Sequence, residues 1–134
     1  MKTNKILKNT AVIGIPTKLD YKFFLYWVEF LKPFHKINQK DSEVLASFLY
    51  KRHQLSKVIL DDDVLDQALM TDEVKKEICA YHNITVNYFQ VIMYHLRKNK
   101  AFIGNKINKK FIPLFDEDEK DFKLIFHFRF DGSN

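Results

Sequence analysis

Apolar residues recur with a helical period along most of this chain and with a period of two near its end. Over residues 21–32 the run YKFFLYWVEFLK is apolar nearly all round. With Asp20 to cap it and Pro33 to break it, this is predicted to be a helix at the centre of the core, or one half in an interface. Asn38-Gln-Lys-Asp41 has the form of a capping box, with Asp in place of the usual Glu, and opens a helix reaching about Gln54. Val44, Leu45, Phe48 and Leu49 supply its apolar face. After a short link over 56–60, Asp61-Asp62-Asp63 precedes a small helix over 64–70. Thr71 caps the next helix, whose first turn holds Asp72 and Glu73, where the helix dipole favours negative charge. Val74, Ile78 and Tyr81 form its row, and Asn83, tolerant of the left-handed conformation, marks its end. Thr85 then caps a helix in which Phe89, Ile92, Met93 and Leu96 fall on one stripe.

After Lys98-Asn99 the period changes. Lys100 to Ile103, a Gly104-Asn105 turn, and Lys106 onward to Pro113 predict a short hairpin. Near the end, Phe122, Leu124, Phe126, Phe128 and Phe130 alternate with Lys123, Ile125, His127 and Arg129, the pattern of a strand with one buried face. Packed beside the hairpin, that strand makes a sheet of three or four strands, to which Val12, Ile13 and Ile15 can add another. The expected fold is α+β but mainly α: a bundle of four to five helices with a small antiparallel sheet.

The run from Lys76 to Phe89, KEICAYHNITVNYF, resembles the helix-turn-helix pattern. In that pattern a small residue packs under the turn, a glycine-like residue makes it, and an apolar residue follows. Cys79, Asn83 and Phe89 fill those places, with Cys for the usual Ala and Asn for the usual Gly. With a hairpin behind it, the outline is a winged helix-turn-helix. A plain pair of packed helices has the same periodicity and stays open as the alternative.

A chain of 134 residues is one domain by ordinary size rules and long enough to bury a core without staples. Residues 1–18, with Lys2, Lys5, Lys8 and Lys18 and no acid, are expected to form a basic arm, and 19–134 a single domain. One cysteine excludes an internal disulfide. The apolar stretch over 11–15 is too short for a signal-peptide core, and the run over 23–31 is too short to span a membrane, so a soluble, intracellular product is expected. Aromatics reach 15% of residues, with 13 Phe and 6 Tyr, which implies either an aromatic core or a surface covered by a partner.

Charge is more informative in its distribution than in its net value of +5. Between Ile78 and Phe115 there is no acid, yet Arg97, Lys98, Lys100, Lys106, Lys109 and Lys110 lie there. On a winged helix those places approach a phosphate backbone; the plainer alternative is a solvated basic hairpin paired with the acids at 61–63 or 116–121. On the outer face of the second motif helix lie Asn87, Val91, Tyr94 and Lys98, with Gln90 at the edge. Asn and Gln read adenine edges in a major groove, whereas Val91 and Tyr94 make a neutral, adhesive centre suited to a protein neighbour.

Catalytic and metal chemistry find little to stand on. There is no Gly-rich phosphate loop and no Gly-x-Ser-x-Gly motif. Cys79 and His82, one turn apart, with His95 make a weak metal set, and Asp61 to Asp63 read more simply as acids at a helix start. No enzyme, no metal and no cofactor are expected.

Two function classes follow: a structural module that docks on proteins through Val91, Tyr94 and Asn87, or a DNA-binding regulator. The regulator would use Asn87, Gln90 and Tyr94 on bases, with Arg97, Lys98, Lys100, Lys106, Lys109 and Lys110 on phosphates. Three stretches carry a further resemblance: LKPFHKI over 31–37, EVLASFLYKR over 43–52, and LRKNKAFI over 96–103. Together with the motif, they make the chain similar to small winged-helix proteins of crAss-like tailed bacteriophages. The resemblance implies a place in the virion, as a neck or tail ring subunit in a homo- or hetero-oligomeric assembly. The regulator reading implies the cytoplasm of a bacterial host.

Overall fold

The computed structural model describes residues 11–116 and 118–132. Among them are five α-helices and one two-stranded antiparallel sheet. The helices are α1 (Tyr21–Phe30), α2 (Gln39–Ser56), α3 (Asp62–Leu69), α4 (Asp72–His82) and α5 (Val86–Lys98). The strands are β1 (Phe102–Ile103) and β2 (Lys106–Ile107), and short 3₁₀ turns cover Lys32–Phe34 and Lys109–Phe111.

Each helix starts where a side chain replaces a missing backbone partner. Asp20, Asn38, Asp61, Thr71 and Thr85 accept from the backbone N–H of Lys22, Asp41, Val64, Val74 and Tyr88 respectively. Pro33 does not simply end α1; it sits within the 3₁₀ turn that follows, where its missing N–H costs nothing. His35 then fastens this turn. Its Nδ1 accepts from the Ile37 N–H at 3.1 Å, so Nε2 carries the proton and donates to the Val28 carbonyl at 2.9 Å.

The centre of the bundle is α2, packed by α1, α3, α4 and α5. Asp41, Ser42 and every residue from Val44 to Leu49 are buried, so α2 has no solvent face over 44–49, although Gln39 at its start is exposed and Lys40 and Glu43 are half-buried. This corrects the expectation that the most apolar helix lies innermost. In α1 only Phe24, Trp27 and Val28 are fully buried, while Tyr26 and Phe30 face out. Small residues at Ser42, Ala46 and Ser47 let neighbouring helices approach α2 closely, and α1 has no comparable row.

The hairpin closes one end of the core. Phe102 pairs with Ile107, both buried, and Gly104 at φ +64 makes the two-residue connection. The Phe102 ring meets Phe48 of α2 edge-on at 5.2 Å. Asn108 braces the hairpin base: its N–H donates to Ala101 O at 2.8 Å and its amide donates to Lys100 O at 2.8 Å. Trp27 Nε1 donates to Phe111 O at 2.7 Å, tying the hairpin exit to α1 across the chain.

The C-terminal strand is not formed, nor is the strand over Val12, Ile13 and Ile15, so the sheet has two strands among the described residues. Strand pairing needs an edge to pair with, and β1 and β2 are only two residues long each. The chain instead lays single rings on α1. Phe115 and Phe122 surround Phe23 at 5.5 and 5.2 Å, and Phe122 meets Trp27 edge-on at 5.4 Å. Phe128 and Phe130 stay exposed. The lysines of the basic arm at positions 2, 5 and 8 lie outside the described residues; the arm's remainder, 11–18, is exposed and without secondary structure.

Replacing Leu96, fully buried, with Ala should destabilise by about 2–5 kcal/mol. Phe126 is 40% exposed and stacks on Phe34, itself exposed, so Phe126→Ala should cost about 1 kcal/mol rather than the core-sized loss that a buried strand implies. Urea denaturation of both variants tests this; equal losses would mean that the tail row is core after all.

Candidate interface on the fifth helix and the hairpin

The turn between α4 and α5 aims the outer face of α5. Asn83 takes the left-handed conformation at φ 51, its N–H donates to Ala80 O at 3.2 Å, and Ile84 N–H donates to Cys79 O at 3.0 Å. Two orphan carbonyls are thereby satisfied and the chain reverses within three residues, Asn83 to Thr85. Cys79 is half-buried under this turn, in the place of the small residue, and burial pushes its thiol pKa up. Thr85 then restarts the helix.

On α5, Phe89, Ile92, Met93 and Leu96 are buried, and Asn87, Gln90, Val91, Tyr94, Arg97 and Lys98 are exposed. The inner and outer rows are therefore those expected. Tyr88 is also exposed and lies one turn before Val91, so it extends the neutral patch. Its place could have been read from the same spacing, since it lies off the buried stripe. Tyr81 was expected in the apolar row of α4 but is 65% exposed. Its ring rests on Tyr21 at 5.1 Å rather than entering the core, because Tyr21 and His82 already occupy the space against α2. Tyr21 donates to Glu43 O at 3.2 Å, and burial drives its phenol pKa well above the ordinary value.

The cations divide into two groups. Arg97 Nε donates to Gly104 O at 3.4 Å, linking the end of α5 to the hairpin turn. Lys106 Nζ lies 3.1 Å from Asp63 of α3, so one acid of the 61–63 run does reach the hairpin. Lys98, Lys100, Lys109 and Lys110 are exposed and make no ion pair among the described residues. Lys100 adopts φ +64 after α5, and its N–H donates to Arg97 O at 3.1 Å, so it serves the helix end where Gly is usual.

Two histidines beneath this surface are held by α2. Asp41, 2% exposed, accepts from His95 Nδ1 at 3.1 Å. Burial raises the Asp41 pKa, and the His95 contact pulls it partly back. His82 Nε2 lies 2.6 Å from Ser47 Oγ, and burial lowers its pKa. The candidate metal set of Cys79, His82 and His95 is thus divided between separate partners, and no group of three metal-ligating side chains occurs among the described residues.

A cleft of about 250 Å³ lies elsewhere, lined by Phe24, Arg52, His53, Ser56, Phe115 and Glu119. His53 is packed between the Phe24 and Phe115 rings, its pKa lowered by burial, and Glu119 is held by Lys57. The three side chains His53, Glu119 and Lys57 clip the C-terminal segment to the end of α2.

No known family model matches this chain, and no curated protein or solved structure shows significant similarity to it. Among the described residues no helix is long and apolar enough to cross a membrane.

His53 and His82 both have folded pKa values below the ordinary 6.5, so the unfolded chain takes up protons first as pH falls. Their stabilising contribution is present above 6.5 and lost as pH falls below it toward the folded values. The urea midpoint should therefore drop between neutral and mildly acidic buffer, and His82→Gln should reduce that drop. Identical pH dependence in the two proteins would show that His82 is not held neutral by the fold.

Proposed function

We propose that this chain is a non-enzymatic, winged-helix-like module that docks on other proteins as a structural or assembly component of a bacteriophage virion, a neck or tail ring subunit. The observation that carries the reading is the outer face of α5. Tyr88, Val91 and Tyr94 stand exposed on it around Asn87, with firm charge only toward the C-terminal end. Aromatic side chains of this kind contribute most at the centre of a protein interface, where neighbours exclude water from them. The helix, left-handed turn, helix and hairpin in succession support the winged-helix description, and the likeness to crAss-like phage proteins supports the virion setting.

The DNA-binding reading draws on Asn87 and Gln90 on the same face and on Lys98, Lys100, Lys109 and Lys110, which make no ion pair among the described residues. It is weakened by Val91 and Tyr94 in the middle of the face that would enter a groove, and by Asp63 beside Lys106. An acid beside a lysine weakens its pull on phosphate, and here Asp63 of α3 lies against the hairpin.

Combining Tyr94→Ala with Val91→Ser separates the classes. Both residues lie outside the core, so the melting temperature should stay close to that of the parent. Incorporation into particles, followed by mass spectrometry of purified virions, should be lost. A double mutant that assembles normally but no longer discriminates one DNA sequence from random DNA would reverse the assignment. In that case Lys106, Lys109 and Lys110 changed to Ala should flatten the salt dependence of binding.

A further inference from the structure

Residues 121–130 form neither helix nor strand, and their backbone makes no backbone hydrogen bond among the described residues. Phe122 is seated on α1, and Phe126 stacks on Phe34 with ring centroids 6.1 Å apart and planes 13° apart. Beyond these anchors the apolar row runs out into solvent, with Phe128 and Phe130 at 77% and 88% exposure. Beside the tail, α1 and the turn after it present Tyr26, Phe30 and Phe34, also exposed. A segment of alternating apolar residues whose backbone is unpaired can become a strand by pairing with another chain.

We propose that this tail pairs with the same tail of a second copy of the chain. The pair forms an antiparallel two-stranded ribbon whose aromatic face lies over Tyr26, Phe30 and Phe34 of both copies. The tail is self-complementary in one register. With Ile125 opposite Ile125 of the second copy, Asp121 faces Arg129, Phe122 faces Phe128, Lys123 faces His127 and Leu124 faces Phe126, each twice by symmetry. Ile125 is the apolar exception on the polar row, 79% exposed in the single chain, and this register places it at the two-fold axis against its own mate.

Neighbouring registers are worse. Setting Phe126 opposite itself puts Lys123 against Arg129, and like charges directly opposite are destabilising. Setting His127 opposite itself brings Lys123 to Asp131 but leaves Phe122 facing Gly132 and Ile125 facing Arg129. A parallel in-register ribbon puts every charge against its own kind. The pairing uses none of the α5 face, so it stands or falls separately from the docking role given to Val91 and Tyr94.

Sedimentation of the full chain over a concentration series should show a monomer–dimer equilibrium. A chain ended after Lys123, which keeps the Phe122 anchor, should sediment as a monomer with an unchanged circular dichroism spectrum. Should that shortened chain fail to fold, Phe128→Glu with Phe130→Glu in the full chain gives the same reading without truncation. In a Cys79→Ser background, Ile125→Cys should form a disulfide-linked dimer under mild oxidation, whereas Lys123→Cys should not. A monomer at every concentration, a dimer that survives loss of the tail, or preferential cross-linking by His127→Cys would each overturn the proposal.

Discussion

Enclosure of α2 over 44–49 is the constraint from which the rest of the structure follows. A helical stretch without a solvent face must receive neighbours on all sides, and α1, α3, α4 and α5 are those neighbours. Each can reach it because Ser42, Ala46 and Ser47 stand among the large residues Leu45, Phe48 and Leu49. Enclosure also favours partners for the polar groups it buries. Ser42 Oγ has none among the described residues, but Asp41 finds His95 on α5 and Ser47 finds His82 on α4, so α4 and α5 are positioned by polar contacts as well as by packing. Losing one member of such a pair would strand a buried polar group, which costs more than the pair itself contributes.

That positioning decides which side of α5 is presented. Its stripe of Phe89, Ile92, Met93 and Leu96 turns toward α2, and everything off that stripe is delivered to the surface. The hairpin is then placed by Trp27 and Asn108 on one side and by Phe48 under Phe102 on the other. Its Lys106 comes to lie beside α3, where it meets Asp63. A stretch of sequence without any acid thus becomes a surface with an acid in it. The exposed pair contributes little stability, but it changes the local field that a polyanion would meet.

Aromatic excess is divided between core and surface. Phe24, Phe48, Phe89 and Phe102 are fully buried. Phe23, Phe115, Phe122 and Trp27 form a second cluster over α1 that pins the C-terminal segment without any backbone pairing. The remaining rings, on the outer side of α1, on α5 and along the tail, are the ones available to other molecules.

The sequence by itself determined what depends on residues close together in the chain. The caps at Asp20, Asn38, Thr71 and Thr85, the left-handed stop at Asn83, the buried stripe of α5 and the Gly104-Asn105 turn were all legible. Each is an interaction over a few residues, and periodicity carries it directly. Asp61 was legible only as part of an acidic run, since three identical residues do not say which one caps. The outer face of α5 was legible for the same reason as its inner one, with Tyr88 the residue overlooked. Tertiary structure alone decided that α2 and not α1 is central, that Tyr81 lies outside, that Asp41 meets His95 and Asp63 meets Lys106. It also decided that the alternating tail finds no edge within its own chain. Alternation specifies a strand's two faces but cannot supply the neighbour that completes it, and that neighbour depends on chain segments far away in sequence.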